Sequence, residues 1–399
     1  MSTSSAFGSD LDAAPTPVTV PRIRGQLAGD SWQALTGDAS DEGSARTSNA
    51  LSLALSSMLN AENIVVLAGL GTSLGLNKRL KPGESAGAPA METLYAAISS
   101  LDGFDRAAAL APDAVAARNV EALLSTCQFH VALNGDVDVQ TFLASAEQTI
   151  LRLCTFVDAD TDLTTHELFL RKIGRRQAKL SRAQIYTTNY DLAFETAAER
   201  SHFHLIDGFG FGTAKPFDGN TFDLDIVRRN SRSEAPALEA NVVHLLKLHG
   251  SVDWDEVDGG VRRAPAPKNP VLIYPAQNKF QLAFRFPYLE SMSRFQIALR
   301  QPNITVIIVG FGFNDAHIAA PIEAAIRANI GLRLVVVDPR ASSSSNVTLR
   351  RIESLIEAGD QRLITIESTF AQFVKLLPDA GAPNERELHE YRTSSAWTK

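Results

Sequence analysis

Two short polar segments carry side chains that could bind or activate a substrate. Thr187-Thr188-Asn189-Tyr190-Asp191 places hydroxyl, amide and carboxylate groups side by side. His249 precedes Gly250, which allows a sharp turn that could expose the imidazole, a group that accepts protons near neutral pH. Each segment also has a structural explanation, because Thr188 or Asn189 could cap a helix and a lone histidine is often buried in a core.

A glycine-rich segment, Gly69 to Gly75, is a candidate for holding a diphosphate. Gly69, Gly71, Thr72 and Ser73 let the backbone approach phosphate oxygens, and the start of a following helix would favour negative charge. The spacing departs from G-x-G-x-x-G because the third glycine comes one residue late, and no lysine occupies a Walker-type position. A plain tight turn is the alternative.

The elements that must position these residues are short, nearly all-apolar runs bounded by Gly, Asn or Asp. They lie at 63–68, 184–188, 242–248, 304–309, 332–337 and 363–366. Such runs are typical of strands in a parallel sheet, which lose polar alternation because helices cover both faces. Segments with helical periodicity separate them, at 190–200, 316–328, 347–358 and 370–377. The sequence therefore predicts an α/β fold with a Rossmann-like open parallel sheet.

Glycines and polar residues also follow the later runs. Gly310 and Gly312 come after the fourth run, with Asn314 and Asp315 close behind, and Asp338 ends the fifth. Open α/β sheets bind ligands outside the carboxyl ends of their strands. Taken one at a time, each of these segments could be a turn or a helix cap. Together, five such strand ends on one edge favour a dinucleotide crevice in which an acidic residue takes ribose hydroxyls.

The regions around the sheet differ in composition. Residues 1–45 are rich in Ser, Thr, Ala, Asp and Gly and are expected to form a mobile N-terminal arm, in which docking of 23–27 or 32–35 stays open. Residues 381–399 are expected to form a polar C-terminal tail. Residues 46–380 are expected to form the Rossmann-like domain. After its first strand, apolar residues recur every three or four positions, which predicts a large helical insertion at about 77–182.

The overall composition excludes several classes of protein. A chain of 399 residues with 45% apolar side chains can bury a full core, and its net charge of −7 gives no basic surface for nucleic acid or anionic lipid. No apolar run reaches the ~20 residues of a membrane helix and no signal-peptide core is present, so we expect a cytoplasmic protein. The two cysteines, Cys127 and Cys154, exclude a four-thiolate zinc site.

In their order along the chain, these segments resemble the sirtuin-like superfamily of NAD-consuming proteins, and more closely its bacterial antiphage-defence branch. Sirtuins have a glycine-rich phosphate loop, a Thr-Gln-Asn-hydrophobic-Asp element and a His-Gly element. Residues 69–73, 187–191 and 249–250 match these elements, with Thr188 in place of the glutamine. The resemblance covers roughly residues 60–340 and makes residues 46–380 a sirtuin-like Rossmann domain.

The resemblance implies NAD as the substrate and a role for each site residue. Asn189 would hold the ribose or the attacking water, and His249 would act as general base. Asp191 would face the nicotinamide carboxamide or stabilise its loop. The implied contacts to NAD are Gly69, Gly71, Thr72, Ser73, Thr188, Gly310, Gly312 and Asp338.

One departure separates this chain from the protein deacylases of that superfamily. Those enzymes carry a zinc ribbon of two Cys-x-x-Cys pairs after the catalytic histidine, whereas no cysteine follows Cys154 here. Their peptide cleft lies beside the ribbon, so an acyl-lysine substrate is less expected. The resemblance therefore implies that water, or the cofactor's own hydroxyl, attacks the ribose and releases nicotinamide and ADP-ribose, chemistry that needs no metal.

This interpretation makes the protein a gated NAD hydrolase (NADase) that depletes NAD in antiphage defence by abortive infection. Relatives of this size work with a HerA-type ATPase or a short Argonaute partner, often as large oligomers. We therefore expect a homo-oligomer and favour the HerA-type partner, without direct contact to nucleic acid or membrane. Two other classes stay open: a module that senses NAD or ADP-ribose without turnover, and an ADP-ribosyl transferase or deacylase.

Overall fold

The structure of the protein is a computed structural model that describes most of the chain. It covers residues 20–25, 29–36, 42–76, 87–177, 179–210, 216–229, 236–272 and 286–379. The predicted tail at 381–399 lies outside these ranges, as do residues 1–19, 26–28 and 37–41 of the predicted arm and residues 77–86 of the predicted insertion. Among the described helices, none combines the length and the hydropathy needed to cross a membrane.

The central element is a nine-stranded sheet. In chain order the strands of the protein are β1 (Arg22–Gly25), β2 (Gly29–Ala34), β3 (Asn63–Ala68), β4 (Gln184–Thr187), β5 (His204–Ile206), β6 (Val227–Arg228), β7 (Ala237–Leu238), β8 (Val242–Lys247), β9 (Gly250–Val257), β10 (Gly260–Arg263), β11 (Pro270–Leu272), β12 (Ile304–Val309), β13 (Leu332–Val337) and β14 (Leu363–Glu367). The large sheet has the order β2-β1-β14-β13-β12-β3-β4-β8-β5. Its strands from β14 to β5 are parallel, and β1 and β2 are antiparallel additions at one edge.

Helices cover both faces of this sheet. They are α1 (Glu42–Leu59), α2 (Met91–Ser99), α3 (Phe104–Leu110), α4 (Pro112–Ala116), α5 (Val120–Asn134), α6 (Val137–Cys154), α7 (Thr164–Gly174), α8 (Ala193–Arg200), α9 (Tyr288–Ala298), α10 (Ala316–Ala328), α11 (Val347–Glu357) and α12 (Phe370–Leu376). Helices α2 to α7 lie between β3 and β4, the segment in which the sequence predicts a helical insertion.

Burial on both faces explains why the strands are continuous apolar runs. Ile64 and Val66 of β3 belong to one core cluster, with α1, α7, α8 and α12, whereas Val65 and Leu67 belong to a second, with α9, α10 and α11. Successive side chains of a strand point to opposite faces, so the five buried positions of β3, residues 64–68, are all apolar. The predicted α/β fold with a mainly parallel sheet is confirmed.

Part of the predicted N-terminal arm joins the sheet. Strand β1 pairs with β14, and Ile23 is fully buried in the first core cluster. Arg24 forms ion pairs of 2.5 Å with both Glu353 and Glu357 of α11. The alternating polar and apolar side chains of this short strand suit its antiparallel pairing next to the edge strand β2, where one face meets the core and the other meets charged groups.

Helices α2 to α6, between β3 and β4, have a core of their own. Leu123, Phe142 and Ile150 are fully buried there, and Tyr190 and Leu192 pack against the same cluster. Because Tyr190 and Leu192 follow β4 directly, these helices lie beside the carboxyl end of that strand.

His166 of α7 is fully buried inside an aromatic cluster. Its ring makes edge contacts with Phe194 and Phe370 at centroid distances of 5.0 and 5.1 Å. Neither ring nitrogen has a hydrogen-bond partner in the described part of the chain. Burial lowers the pKa of His166 to about 3, so the folded protein keeps this imidazole neutral.

Replacing His166 by Phe is expected to stabilise the protein most strongly in acid. Below about pH 6.5 the unfolded chain protonates this imidazole, whereas the folded chain resists protonation down to about pH 3. The wild type therefore loses about 2 kcal/mol at pH 5 relative to pH 8 through this group alone. Denaturant unfolding of wild type and His166→Phe at both pH values measures it. An advantage of the variant that is equal at both pH values would contradict the assignment.

Candidate functional site

The candidate residues follow four neighbouring strands at the centre of the sheet. Strands β12, β3, β4 and β8 are adjacent and parallel, and the chain leaves β3 toward β4 on one side and β12 toward β13 on the other. A reversal of this kind opens a crevice outside the carboxyl ends of the strands, where open α/β sheets bind their ligands.

The loops after β3 and β12 touch each other through glycines. Gly71 N donates to Gly310 O at 2.9 Å. A Cβ added to Gly69 would lie 2.5 Å from Gly310 O, and one added to Gly71 would lie 2.6 Å from Gly310 Cα. Gly310 itself has a φ of +64°, a conformation that L side chains rarely adopt. These glycines are therefore required by the contact between two backbones.

The loop after β3 differs from the sequence-based expectation in one respect. The sequence predicts a helix start behind the phosphate-loop candidate, whereas the described residues form a short 3₁₀ turn at Leu70–Thr72. This turn packs closely on Gly310. Residues 77–86, which follow, lie outside the described part of the chain. A helix dipole aimed at a diphosphate is thus not seen in residues 70–76.

Asn189 ties the loop after β4 to the loop after β3. Its Nδ2 donates to Gly69 O and Thr72 Oγ1, both at 3.1 Å, and to Ser73 Oγ at 3.0 Å. A backbone carbonyl can only accept, so this contact fixes which end of the amide faces the loop. None of the described residues donates to the Asn189 side-chain oxygen. The buried amide therefore presents its oxygen as an acceptor for another group.

Asp191 is bound within the same loops. Its carboxylate accepts a hydrogen bond from Ser73 Oγ at 2.8 Å and another from Ala193 N at 2.9 Å. The sequence leaves two roles open for Asp191, contact with the nicotinamide carboxamide and stabilisation of its loop. These two hydrogen bonds favour stabilisation of the loop. They leave Ser73 and Thr72 engaged with Asn189 and Asp191.

Lys247, the last residue of β8, stabilises the loop after β4. Its Nζ donates to the carbonyl oxygens of Tyr190 and Asp191 and lies 3.1 Å from Glu195 Oε1. Those two carbonyls would otherwise accept the first hydrogen bonds of a helix starting at Tyr190. Helix α8 begins at Ala193, later than the sequence predicts.

Arg263 completes a buried ion cluster around Lys247. It pairs with Asp207 at 2.9 Å and Asp253 at 2.7 Å, and lies 3.8 Å from Glu195. Burial raises the pKa of Glu195, which Lys247 and Arg263 oppose. The charges compensate one another only while each stays in place.

His249 lies at the same level of the sheet as Asn189. Thr187 of β4 is paired in register with Lys247 of β8, and Asn189 and His249 each come two residues later. His249 is 4% exposed, and its Nε2 lies 3.1 Å from Nε2 of His317 on α10, with the two rings stacked at 30°.

His317 is a residue that the sequence did not single out. Asp315, which the sequence suggests as a helix cap, precedes α10 but makes no side-chain capping hydrogen bond to it. Phe313 has a φ of 57°, in the left-handed region, and packs on Phe311 at a centroid distance of 5.4 Å. The spacing Asp315-x-His317 at a helix start was the available signal, but the approach to His249 depends on tertiary structure.

The other predicted NAD contacts lie on the same edge and make local contacts. Thr188 N donates to Ala68 O at 3.1 Å. Gly312 is exposed, and its carbonyl accepts a hydrogen bond from Asn346 Nδ2 at 3.2 Å. Asp338 follows β13, accepts a hydrogen bond from Arg340 N at 2.7 Å, and has its pKa raised by burial. It lies two strands away from β3.

Residues 183–357 match the family model of the SIR2-like domain. No curated protein matches the chain. The matched region begins just before β4 and ends with α11, so it contains Asn189, His249 and Gly310 and starts after the loop at 69–73. SIR2-like domains are in general NAD-dependent, which supports the sirtuin-like resemblance at the level of the superfamily.

Replacing Gly310 by Ala is expected to lower the free energy of unfolding by at least about 2 kcal/mol. The new Cβ would lie 2.7 Å from Gly71 Cα, and the positive φ adds about 1 kcal/mol of strain. Gly75→Ala is the matched control, because a Cβ there meets no atom within 4 Å. Thermal unfolding of both variants tests the contact, and equal stabilities would refute it.

Lys247→Met is expected to destabilise the protein by about 3 kcal/mol, because Glu195 then loses its nearer cation inside the structure. Lys375→Met, at an exposed position of α12, serves as the control and should change stability by about 0.5 kcal/mol or less. Urea unfolding compares the two variants. A Lys247→Met protein as stable as the control would show that the ion cluster does not support the loop.

Proposed function

We propose that this SIR2-like protein cleaves the bond between nicotinamide and ribose in NAD, with Asn189 and His249 as the catalytic residues. The observation that carries the proposal is their register. Both residues come two positions after the paired Thr187 and Lys247, at the carboxyl ends of neighbouring parallel strands. This register supports a site in which an amide oxygen and an imidazole share one edge of the crevice, beside the switch point of the sheet.

The chemistry suits these two groups. The electron pair of the C–N bond moves to the pyridinium ring, nicotinamide leaves as a neutral molecule, and the ribose gains oxocarbenium character. Water then bonds to the ribose carbon and gives up a proton to His249. Asn189 would accept a hydrogen bond from a ribose hydroxyl or from this water through its side-chain oxygen, since its Nδ2 is held by Gly69, Thr72 and Ser73.

The cysteines support hydrolysis over deacylation. Cys127 and Cys154 are both buried in the helical core between β3 and β4. Burial raises the pKa of Cys127 to about 11 and of Cys154 to about 12, which keeps both thiols protonated. Neither has the environment of a zinc ligand or of a nucleophile. Two buried, protonated cysteines do not suit the zinc ribbon beside which deacylases bind their peptides, which supports hydrolysis.

The rest of NAD would extend along the same edge. The diphosphate would lie near the loop at 69–73 and Thr188, and the adenosine half near Gly312 and Asp338. The half-buried carboxylate of Asp338 would accept hydrogen bonds from ribose hydroxyls. Gly69, Gly71 and Gly310 would contribute mainly by holding the two loops together, because their Cα positions face each other.

We further propose a cytoplasmic antiphage role in which the activity is gated by assembly. A homo-oligomer with a HerA-type ATPase, or with a short Argonaute, would restrain an enzyme that otherwise depletes NAD. Support comes from apolar side chains exposed on the helices between β3 and β4. Phe129 and Leu133 on α5 and Val137 on α6 are 59, 67 and 68% exposed, as expected for a surface that a partner covers.

The test is nicotinamide release from NAD by the full chain, alone and with candidate partners, followed by chromatography. Asn189→Ala and His249→Ala should each lower the rate by about 100-fold or more. Asn220→Ala and His204→Ala, at exposed positions, are the matched controls and should leave the rate unchanged. NAD binding without release under every condition would support a sensor instead, and ADP-ribose attached to protein would indicate transfer.

A further inference from the structure

Three potential metal ligands converge at the mouth of the crevice. They are His249, after β8, and Asp315 and His317, at the start of α10. The two histidine Nε2 atoms are 3.1 Å apart. One ring nitrogen of each histidine and one carboxylate oxygen of Asp315 all lie within 4.8 Å of one another. His249 and His317 are buried and Asp315 is half-buried, so the cluster is screened from bulk water but open on one side.

The spacing of the two nitrogens suits a single ion. Zinc binds imidazole nitrogen at about 2.0–2.1 Å, so two nitrogens 3.1 Å apart can share one ion with an N–metal–N angle of about 98°. In a tetrahedral site ligand atoms lie about 3.3 Å apart. The carboxylate of Asp315 therefore needs to approach by no more than about 1.5 Å, a shift that a side-chain rotation can supply.

The donor set is also chemically appropriate. Two neutral imidazoles and one carboxylate are a common set of protein ligands for divalent transition metals and leave further positions open for water or substrate. The left-handed backbone of Phe313, two residues before Asp315, is a local strain of the kind found at functional sites.

We propose that His249, Asp315 and His317 form a binding site for one divalent transition-metal ion of the zinc type. The ion would occupy the nitrogen of His249 that faces His317. The regulatory part of the inference rests on the proposed function, because a metal ion on His249 would occupy the nitrogen that takes the proton from water. Metal binding would then inhibit NAD cleavage reversibly, without any change in the fold.

The binding test uses the full chain, stripped of metal with a chelator, and Zn²⁺ or Co²⁺ as probe. Calorimetry should show one Zn²⁺ bound per chain, and Co²⁺ should give the visible absorption of a four-coordinate site. His317→Ala and Asp315→Asn should each weaken binding by tenfold or more. His204→Ala and Asp113→Asn, at exposed positions, should bind as the wild type does.

The site variants must be shown to be folded by circular dichroism and thermal unfolding. Variants that are folded and still bind Zn²⁺ as tightly as the wild type would overturn the proposal. A wild-type chain that binds no Zn²⁺ at about 100 micromolar would also overturn the proposal, because even a weak site binds metal at that concentration.

The inhibition test separates this proposal from the proposed function. Added Zn²⁺ should suppress nicotinamide release by the wild type, and a chelator should restore it. In His317→Ala the activity that remains should need at least tenfold more Zn²⁺ for half-inhibition. Binding of Co²⁺ by a chain that never cleaves NAD would refute only the proposed function. Cleavage that is insensitive to Zn²⁺, in a chain that binds none, would refute only the metal site.

Discussion

The site depends on a contact between two backbones. The loops after β3 and β12 meet at Gly69, Gly71 and Gly310 with no room for a side chain between them. This contact joins the two halves of the sheet where the strand order reverses. The same contact fixes the position of Gly69 O and of the adjoining Thr72 and Ser73. These three residues provide the oxygen atoms that accept hydrogen bonds from the Asn189 amide.

The second constraint is electrostatic. Lys247 and Arg263 hold the turn after β4 through two backbone carbonyls and three carboxylates that are largely withdrawn from water. A cluster of this kind is costly to build and more costly to break, which favours one position of the loop over many. Most polar groups of the crevice, including Ser73 and Asp191, are satisfied by each other. The groups left to face a ligand are therefore fewer than the sequence suggests.

The sequence was sufficient for the central sheet because strands buried on both faces must be continuous apolar runs, as β3, β12 and β13 are. It was insufficient for β1, in which Ile23 and Gly25 are buried but Arg22 and Arg24 interrupt any apolar run. The ion pairs of Arg24 come from α11, more than 300 residues away. The contact between His317 and His249 could not be predicted either, because the two residues are 68 positions apart and no local sequence pattern indicates it. The sequence analysis identified Gly69, Gly71 and Gly310, but as contacts to NAD. Their packing against each other could not be predicted, because neither loop sequence alone indicates a contact with the other.

The central claim is that Asn189 and His249 act on the same sugar. The most direct measurement is a crystal structure of the full-length protein with a carbocyclic, uncleavable analogue of NAD. The account predicts that the ring replacing the nicotinamide ribose lies between the Asn189 side-chain oxygen and the His249 imidazole, within hydrogen-bonding distance of each. An analogue bound elsewhere on the protein, or bound with either side chain facing away from that ring, would contradict it.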